Sequence, residues 1–214
     1  SLLGDASLSK PPSGVNYHWS VYHAAKQRDF LEWKWGILSP HASPIQSCSY
    51  LDKRDGKTRE GGRFHLPSTT WFTELRGMLY PEGKKALPPQ FLSQIRHPIA
   101  LSALIGDDGS WDRAGIQIAS KQFTEADNAM LALYLGTTYG LTIAPRFGGK
   151  YWNLRIPSAS VERARVLCIP WLPKTLHYKL GGDYYQTTRV GQVWKRCLAC
   201  QCEFESYASS DQRY

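Results

Sequence analysis

The same order of sequence patterns occurs twice in this chain, and this duplication restricts the fold more than any other feature. Each copy opens on a short apolar stretch that ends in small and acidic residues, at positions 2–7 in the first copy and 101–110 in the second. Strand-like alternation, a helical pattern, a hairpin and a last helix follow in both copies. A period of roughly 90 residues is too long for a solenoid repeat. The pattern therefore predicts an α+β fold of two similar halves, each with an antiparallel sheet.

Composition and charge indicate a globular protein with an anionic partner. The chain has 214 residues, of which 42% are hydrophobic, and this is sufficient for a packed core. Lys and Arg number 26 against 18 Asp and Glu, and the resulting net charge of +8 favours a polyanion as partner. No apolar run reaches the roughly 18–20 residues of a membrane span, so we expect neither a membrane partner nor a signal peptide.

The cysteines argue against a secreted disulfide framework. Their number is odd, and three crowd the C-terminus; they are Cys48, Cys168, Cys197, Cys200 and Cys202. We therefore expect an intracellular, reducing compartment, without distinguishing cytoplasm or nucleoid from an organelle.

Local patterns predict helices and hairpins at equivalent places in the two copies. In the first copy we expect a helix over residues 29–38, a hairpin over 45–66 and a helix over 71–80. In the second copy, Thr124 precedes a helical pattern with Asp127 at the capping-box position. A hairpin over residues 141–156 and a helix over 158–168 then complete the second copy.

Two carboxylates recur at the same place in the two copies, Asp5 in the first and Asp108 in the second. Each is followed by a small residue, Ala6 or Gly109, which allows two chain segments to approach closely. If the opening segments pack side by side, the two carboxylates meet and repel unless a divalent cation lies between them. Mg²⁺ prefers such oxygen ligands, and this kind of site supports phosphodiester hydrolysis. The alternative is that both residues are only helix caps or turn residues.

The two acidic segments resemble the signature motifs of a known family. Gly4-Asp5-Ala6-Ser7 and Gly106-Asp107-Asp108-Gly109-Ser110 are similar to the two motifs of the single-chain LAGLIDADG homing endonucleases. The resemblance covers about residues 1–180. Four further stretches agree with the family in order and spacing, at residues 35–40, 83–88, 120–124 and 177–180.

This resemblance implies a particular architecture. We expect two αββαββα halves, residues 1–97 and 98–182, related by a pseudo-twofold axis with the motif helices at the centre. The two sheets would form a β-saddle over the DNA major groove. The chain departs from the family in that the first motif helix is truncated, in that Ala6 stands where glycine is usual, and in that residues 183–214 form a tail without a counterpart.

The resemblance also implies the chemistry. Asp5 and Asp108 would hold two or three Mg²⁺ ions, together with the main-chain carbonyls of Gly4 and Asp107. Lys85 and Lys179 match basic residues that hold water and stabilise negative charge beside the cut phosphates. The expected activity is that of an intron-encoded, monomeric, metal-dependent endonuclease. It would cut both strands of a long DNA site and leave short 3′ overhangs.

Alternation along the predicted strands indicates which side chains would face DNA, and the alternative is that they form an ordinary solvated sheet face. These polar side chains share the non-core face or its turns, and a register error of one residue would exchange the faces. They are His18, Ser20, Arg63, His65, Gln117, Lys121, Arg146, Tyr151, Asn153 and Arg155.

The tail carries a Cys-x-x-Cys pair, Cys197 and Cys200, which resembles half of a zinc ribbon. A complete Zn²⁺ site needs a second pair of ligands, and the alternative is a pair of reduced thiols.

Three other functions remain open at this point. The first is an RNA splicing maturase of the same fold, with intron RNA as its partner. The second is an intein remnant, which is disfavoured because no flanking splicing block is visible. The third is a non-catalytic nucleic-acid-binding relic. Because both acids and both lysines are present, the residues favour cleavage.

Overall fold

A computed structural model describes residues 2–52, 55–112 and 114–181, together with the backbone of 192–196 and 203–207. The helices are α1 Arg28–Leu38, α2 Thr70–Leu79, α3 Pro89–Leu92, α4 Pro98–Asp108, α5 Glu125–Tyr139 and α6 Ser158–Cys168. The strands are β1 Ser7–Ser9, β2 His18–Ala24, β3 Gln46–Asp52, β4 Lys57–His65, β5 Gly109–Asp112, β6 Gly115–Ala119, β7 Ala144–Phe147, β8 Trp152–Pro157, β9 Gln192–Arg196 and β10 Glu203–Tyr207.

Two four-stranded antiparallel sheets have the same strand order, which is β1-β2-β4-β3 in the first and β5-β6-β8-β7 in the second. The elements from α4 to α6 follow the order αββαββα. The first sheet has the same succession of elements, with a turn at residues 2–5 where the second has α4. The predicted α+β fold class is therefore confirmed. Strands β9 and β10 form a separate antiparallel pair.

The strands form where apolar and polar residues alternate. In β2, Trp19 and Val21 are buried while His18 and Ser20 lie on the opposite face. In β8, Leu154 and Ile156 are completely buried and alternate with polar residues. Each sheet therefore has one face toward its helices and one open face.

Helix α5 begins at the capping box that the sequence predicts. The Thr124 hydroxyl accepts a hydrogen bond from the main-chain N–H of Asp127 at 3.2 Å, and the Asp127 carboxylate accepts one from the N–H of Thr124 at 3.1 Å. The helix ends at Gly140, whose φ of 65° lies in the left-handed region that favours glycine.

One core cluster connects the two sheet-bearing parts of the chain. Leu3, Phe30 and Leu87 pack in the same cluster as the buried residues of α4, α5 and α6. Helix α4 touches α1 directly, since a Cβ on Gly106 would lie 2.3 Å from Cζ of Phe30. A second cluster lies between the first sheet and α1 and α2. Phe91 packs against both clusters.

Several features lie beyond the sequence patterns or beyond the described residues. Strands β1 and β5 are short edge strands with few apolar residues, so alternation does not indicate them.

Cys48 is half-buried and Cys168 is buried, and both are free thiols. The suggested zinc ligands Cys197 and Cys200 lie outside the described residues. In the described part of the chain, none of the helices combines the length and apolar character needed to cross a membrane.

Candidate active site

Three carboxylates meet where the two motif segments touch. Asp107 and Asp108 are the last residues of α4, and Asp5 lies in the turn before β1. The backbones approach so closely here that a Cβ on Gly4 would lie 2.5 Å from Cβ of Asp107. This contact needs glycine at position 4, and it brings the acidic ends of both motifs together.

Three lysines stand among these carboxylates. Nζ of Lys85 lies 3.5 Å from the main-chain oxygen of Gly4. Nζ of Lys179 donates to the main-chain oxygen of Gly106 at 2.6 Å and lies 3.4 Å from that of Asp107. Lys34 pairs with the Asp107 carboxylate. Burial lowers the pKa of all three lysines, and the neighbouring carboxylates oppose that shift.

The environment of Asp108 requires a compensating charge. Burial raises the pKa of Asp108 to about 7, and the charges of Asp5 and Asp107 add to this rise. Its Oδ2 atom is buried and has no hydrogen-bond partner among the described residues. Burial and the charge of Asp107 likewise raise the pKa of Asp5. A buried carboxylate oxygen beside a second carboxylate suits a hard divalent cation, so these residues fit a metal of the Mg²⁺ type.

His23 joins this cluster, although neither the repeated motifs nor the family resemblance indicates it. Its Nδ1 lies 3.7 Å from Oδ2 of Asp5, and its Nε2 lies 3.7 Å from Oδ1 of Asp107. Burial and the charge of Lys34 lower the pKa of His23 to about 4, so the imidazole is neutral at pH 7. A signal was available, because His23 has the same strand parity as the buried Trp19 and Val21, where an apolar residue is usual.

Gln122 is a second residue at the site that is not among the predicted site residues. Its Nε2 donates to the main-chain oxygen of Leu3 at 3.2 Å, across 119 residues of sequence. This hydrogen bond fixes the first motif segment against the chain that follows β6.

The open face of the first sheet is concave. A groove of about 800 Å³ lies over it, and Asp5 lines one part of its wall. The predicted DNA-facing residues His18, Ser20, Arg63 and His65 all line this groove. Other polar residues that line it were not predicted; they are Ser7, Ser9, Lys10, Tyr22, Gln46, Cys48, Ser49, Tyr50 and Ser68.

The open face of the second sheet carries four of the other predicted side chains. Gln117 stands opposite Arg155 in the strand register, and Arg146 stands opposite Asn153. The Arg155 guanidinium pairs with the carboxylate of Asp112 on β5. The remaining two, Lys121 and Tyr151, lie exposed in turns next to the strands. Eight of the ten side chains therefore lie on the open faces of the two sheets and two lie in exposed turns, and their role in binding stays a prediction.

Comparison with known proteins gives a family and a fold. The model of the LAGLIDADG DNA endonuclease family matches residues 1–163. In three dimensions the chain is similar to the homing endonuclease I-WcaI, solved bound to its DNA recognition sequence. That match has a TM-score of 0.73 and 17% identity, and it covers 85% of this chain and 83% of the other.

Three curated relatives are similar in sequence. The cytochrome b mRNA maturase bI2 of Debaryomyces hansenii is 26% identical over 85% of this chain and 71% of its own length. A RecA protein of Mycolicibacterium flavescens is 28% identical over 84% of this chain, which spans 44% of that relative. The intron-encoded endonuclease ai4 of Dictyostelium discoideum is 26% identical over 60% of this chain and 84% of its own length.

Proposed function

Because the chain belongs to the LAGLIDADG DNA endonuclease family, we propose that it is a site-specific endonuclease that cuts both strands of a duplex DNA target. The observation that carries this proposal is the meeting of Asp5 and Asp108 with Lys85 and Lys179 at the junction of the two motifs. A nucleic-acid binder that does not cut has no need of two carboxylates with raised pKa values beside the half-buried Lys85 and the buried Lys179.

Asp5 and Asp108 would hold the divalent ions, with Mg²⁺ as the expected metal and two or three ions as the expected number. The main-chain carbonyls of Gly4 and Asp107 are the other proposed ligands. When bound, such ions activate water and stabilise the leaving oxygen of a phosphodiester.

Lys85 and Lys179 would stabilise the charge that develops on the phosphates. Both ammonium groups are held near main-chain oxygens of the motif segments, so their positions are fixed before DNA arrives. They would also orient the attacking waters. One lysine serves each strand, and the two cuts would leave short 3′ overhangs.

The partner would be duplex DNA lying along the open faces of both sheets, bound by a monomer. The net charge of +8 provides the attraction for phosphates, and the polar side chains of both sheets provide contacts for base edges. The similar fold of I-WcaI, which was solved with its DNA recognition sequence, supports this arrangement.

Neutralising one acid tests the proposal. With Mg²⁺ and a duplex selected by cleavage from a randomised library, Asp108→Asn should slow cutting at least about a hundredfold, because it removes charge stabilisation worth several kcal/mol. Binding of the same duplex in Ca²⁺ should remain. The matched control is Glu162→Gln, which neutralises an exposed acid on α6 and should cut normally. Cleavage by Asp108→Asn at the rate of the unaltered protein would refute the proposed chemistry.

A second candidate function is an RNA splicing maturase, and the similarity to the maturase bI2 favours it. The discriminating measurement is affinity for a structured intron RNA against duplex DNA at one salt concentration, because both bindings depend on salt. Tight RNA binding without DNA cutting in either Mg²⁺ or Mn²⁺ would favour the maturase.

A further inference from the structure

A lysine occupies a core position of helix α1. The buried positions of α1 are Phe30, Leu31 and Lys34, and Lys34 is only 3% exposed. In α5 the buried residues Leu131, Ala132 and Leu135 have the same spacing, so a leucine stands where α1 has Lys34. Burying a charge here instead of leucine costs free energy unless an oppositely charged group and hydrogen bonds compensate for it.

The Lys34 ammonium is enclosed by three groups. It pairs with Oδ1 of Asp107, whose side chain is completely buried. It lies 2.8 Å from Nε2 of His23 and 4.3 Å from the centre of the Phe30 ring. Because the imidazole of His23 is neutral, its Nε2 can accept a hydrogen bond from the ammonium. Lys34 therefore has a charge partner, a hydrogen-bond acceptor and an aromatic ring.

The groups around Lys34 are also a set of metal ligands. One ligand atom each of Asp5, His23 and Asp107 lie within 4.8 Å of one another. An imidazole with two carboxylates is a set that can bind Zn²⁺ or Co²⁺, because the imidazole favours such metals over Mg²⁺. In this structure the positive charge beside His23 and Asp107 is the ammonium of Lys34.

The charges around the motif junction balance when Lys34 is counted. Asp5, Asp107 and Asp108 bring three carboxylates, and Lys34, Lys85 and Lys179 bring three ammonium groups. Of the three lysines, Lys34 is the one that pairs directly with a carboxylate side chain. Lys34 thereby neutralises Asp107, whereas no lysine of the described residues pairs directly with the carboxylate of Asp5 or Asp108.

We propose that Lys34 is a built-in cation that fills the space among Asp5, His23 and Asp107 and so restricts divalent ions to Asp5 and Asp108. Lys34 is thus a positioning residue, because it acts on the reaction through Asp107 and His23 and not by touching DNA. The inference rests on the proposed function in one respect only, namely that Asp5 and Asp108 are the metal ligands.

Removing the ammonium should open a metal site that the unaltered protein lacks. Lys34→Met keeps an unbranched side chain as far as Cε and removes the ammonium group, and we expect it to bind about one more Co²⁺ per chain than the unaltered protein. Equilibrium dialysis gives the number of ions. The visible absorption of imidazole-bound Co²⁺ identifies the ligand. The double variant Lys34→Met/His23→Leu should lose the additional ion, and Lys174→Met, at an exposed lysine, should bind as the unaltered protein does.

Two outcomes would overturn the proposal. The first is a folded Lys34→Met protein, judged by circular dichroism, that binds no additional Co²⁺. The second is a shift of the His23 ring-nitrogen signals when Zn²⁺ is added to the unaltered protein, because that metal would then already reach His23. Lys34→Leu, which has the residue type of Leu135, serves the same test if Lys34→Met does not fold. These readouts involve no DNA cleavage, so a failure of the proposed nuclease activity would be seen separately.

Discussion

At the scale of single residues, the unusual feature of this protein is the amount of charge buried at one point. Asp108 is held beside Asp5 and Asp107, and its pKa is raised to about 7. A folded protein that keeps a carboxyl protonated near neutral pH loses stability when that carboxyl ionises. The negative charge that attracts cations to the site therefore destabilises the metal-free protein, and this loss of stability can be measured without DNA.

Asp108→Asn should stabilise the metal-free protein in a pH-dependent way. Below about pH 4 the Asp108 carboxyl is protonated in both the folded and unfolded states, and the variant should melt near the temperature of the unaltered protein. As the pH rises toward 7, ionisation of Asp108 destabilises only the unaltered protein. The variant should therefore gain in melting temperature over this range and keep its advantage above it. Thermal unfolding in EDTA measures the difference, and adding Mg²⁺ should reduce it. A difference that is constant from pH 4 to 8 would contradict the assigned environment.

The sequence predicts some of the site residues and not others, for a physical reason. Asp5 and Asp108 recur in matching motifs, so their meeting follows from the duplication. Lys34 and His23 belong to no repeated motif, and the family resemblance implies Asp107 only through its main-chain carbonyl. In sequence, 73 residues separate Lys34 from Asp107. Their contact depends on how α1 docks against the end of α4, which no local pattern determines. The parity of His23 and the helical position of Lys34 mark both as buried, but they do not reveal the partner.

At the scale of secondary structure, the elements predicted well are those with strong local signals. Helix α5 has its capping box, and the hairpin of β7 and β8 has clear alternation and a turn at Gly148 and Gly149. Strand β1 has three residues, Ser-Leu-Ser, and among the described strands it pairs with β2 alone. Such an edge strand is stabilised by its neighbour and not by its own pattern, so only the family resemblance implies it.

The capping box of α5 should make a measurable contribution to stability. Thr124→Ala removes the acceptor for the Asp127 N–H, and we expect a loss of about 1 kcal/mol in the free energy of unfolding. Thr124→Ser should recover most of that loss, because serine caps equally well. The matched control is Thr137→Ala inside the same helix, where the side chain is exposed and alanine is the better helix former. Urea denaturation gives all three values. An equal loss for Thr137→Ala would mean that capping is not the cause.

At the scale of the whole molecule, a single core cluster joins the first-sheet part of the chain to the second sheet and its helices. The cluster that contains Leu3, Phe30 and Leu87 also contains the buried residues of the second sheet and its helices. The open faces of both sheets are therefore held relative to the carboxylates at the motif junction. This arrangement predicts that nucleic acid binds on the sheet side, while the helix side contributes little.

The salt dependence of binding tests which side of the molecule faces DNA. Each phosphate contact adds close to one unit to the slope of log affinity against log salt. Arg146→Gln, on the open face of β7, should reduce that slope by about 1. Arg163→Gln, on the exposed side of α6, changes the net charge equally and should leave the slope unchanged. Fluorescence anisotropy of a labelled duplex over a range of salt concentrations measures both slopes. If Arg163→Gln reduced the slope as much as Arg146→Gln does, the helix side would also contact the phosphates, and the sheet faces would not be the exclusive DNA-binding surface.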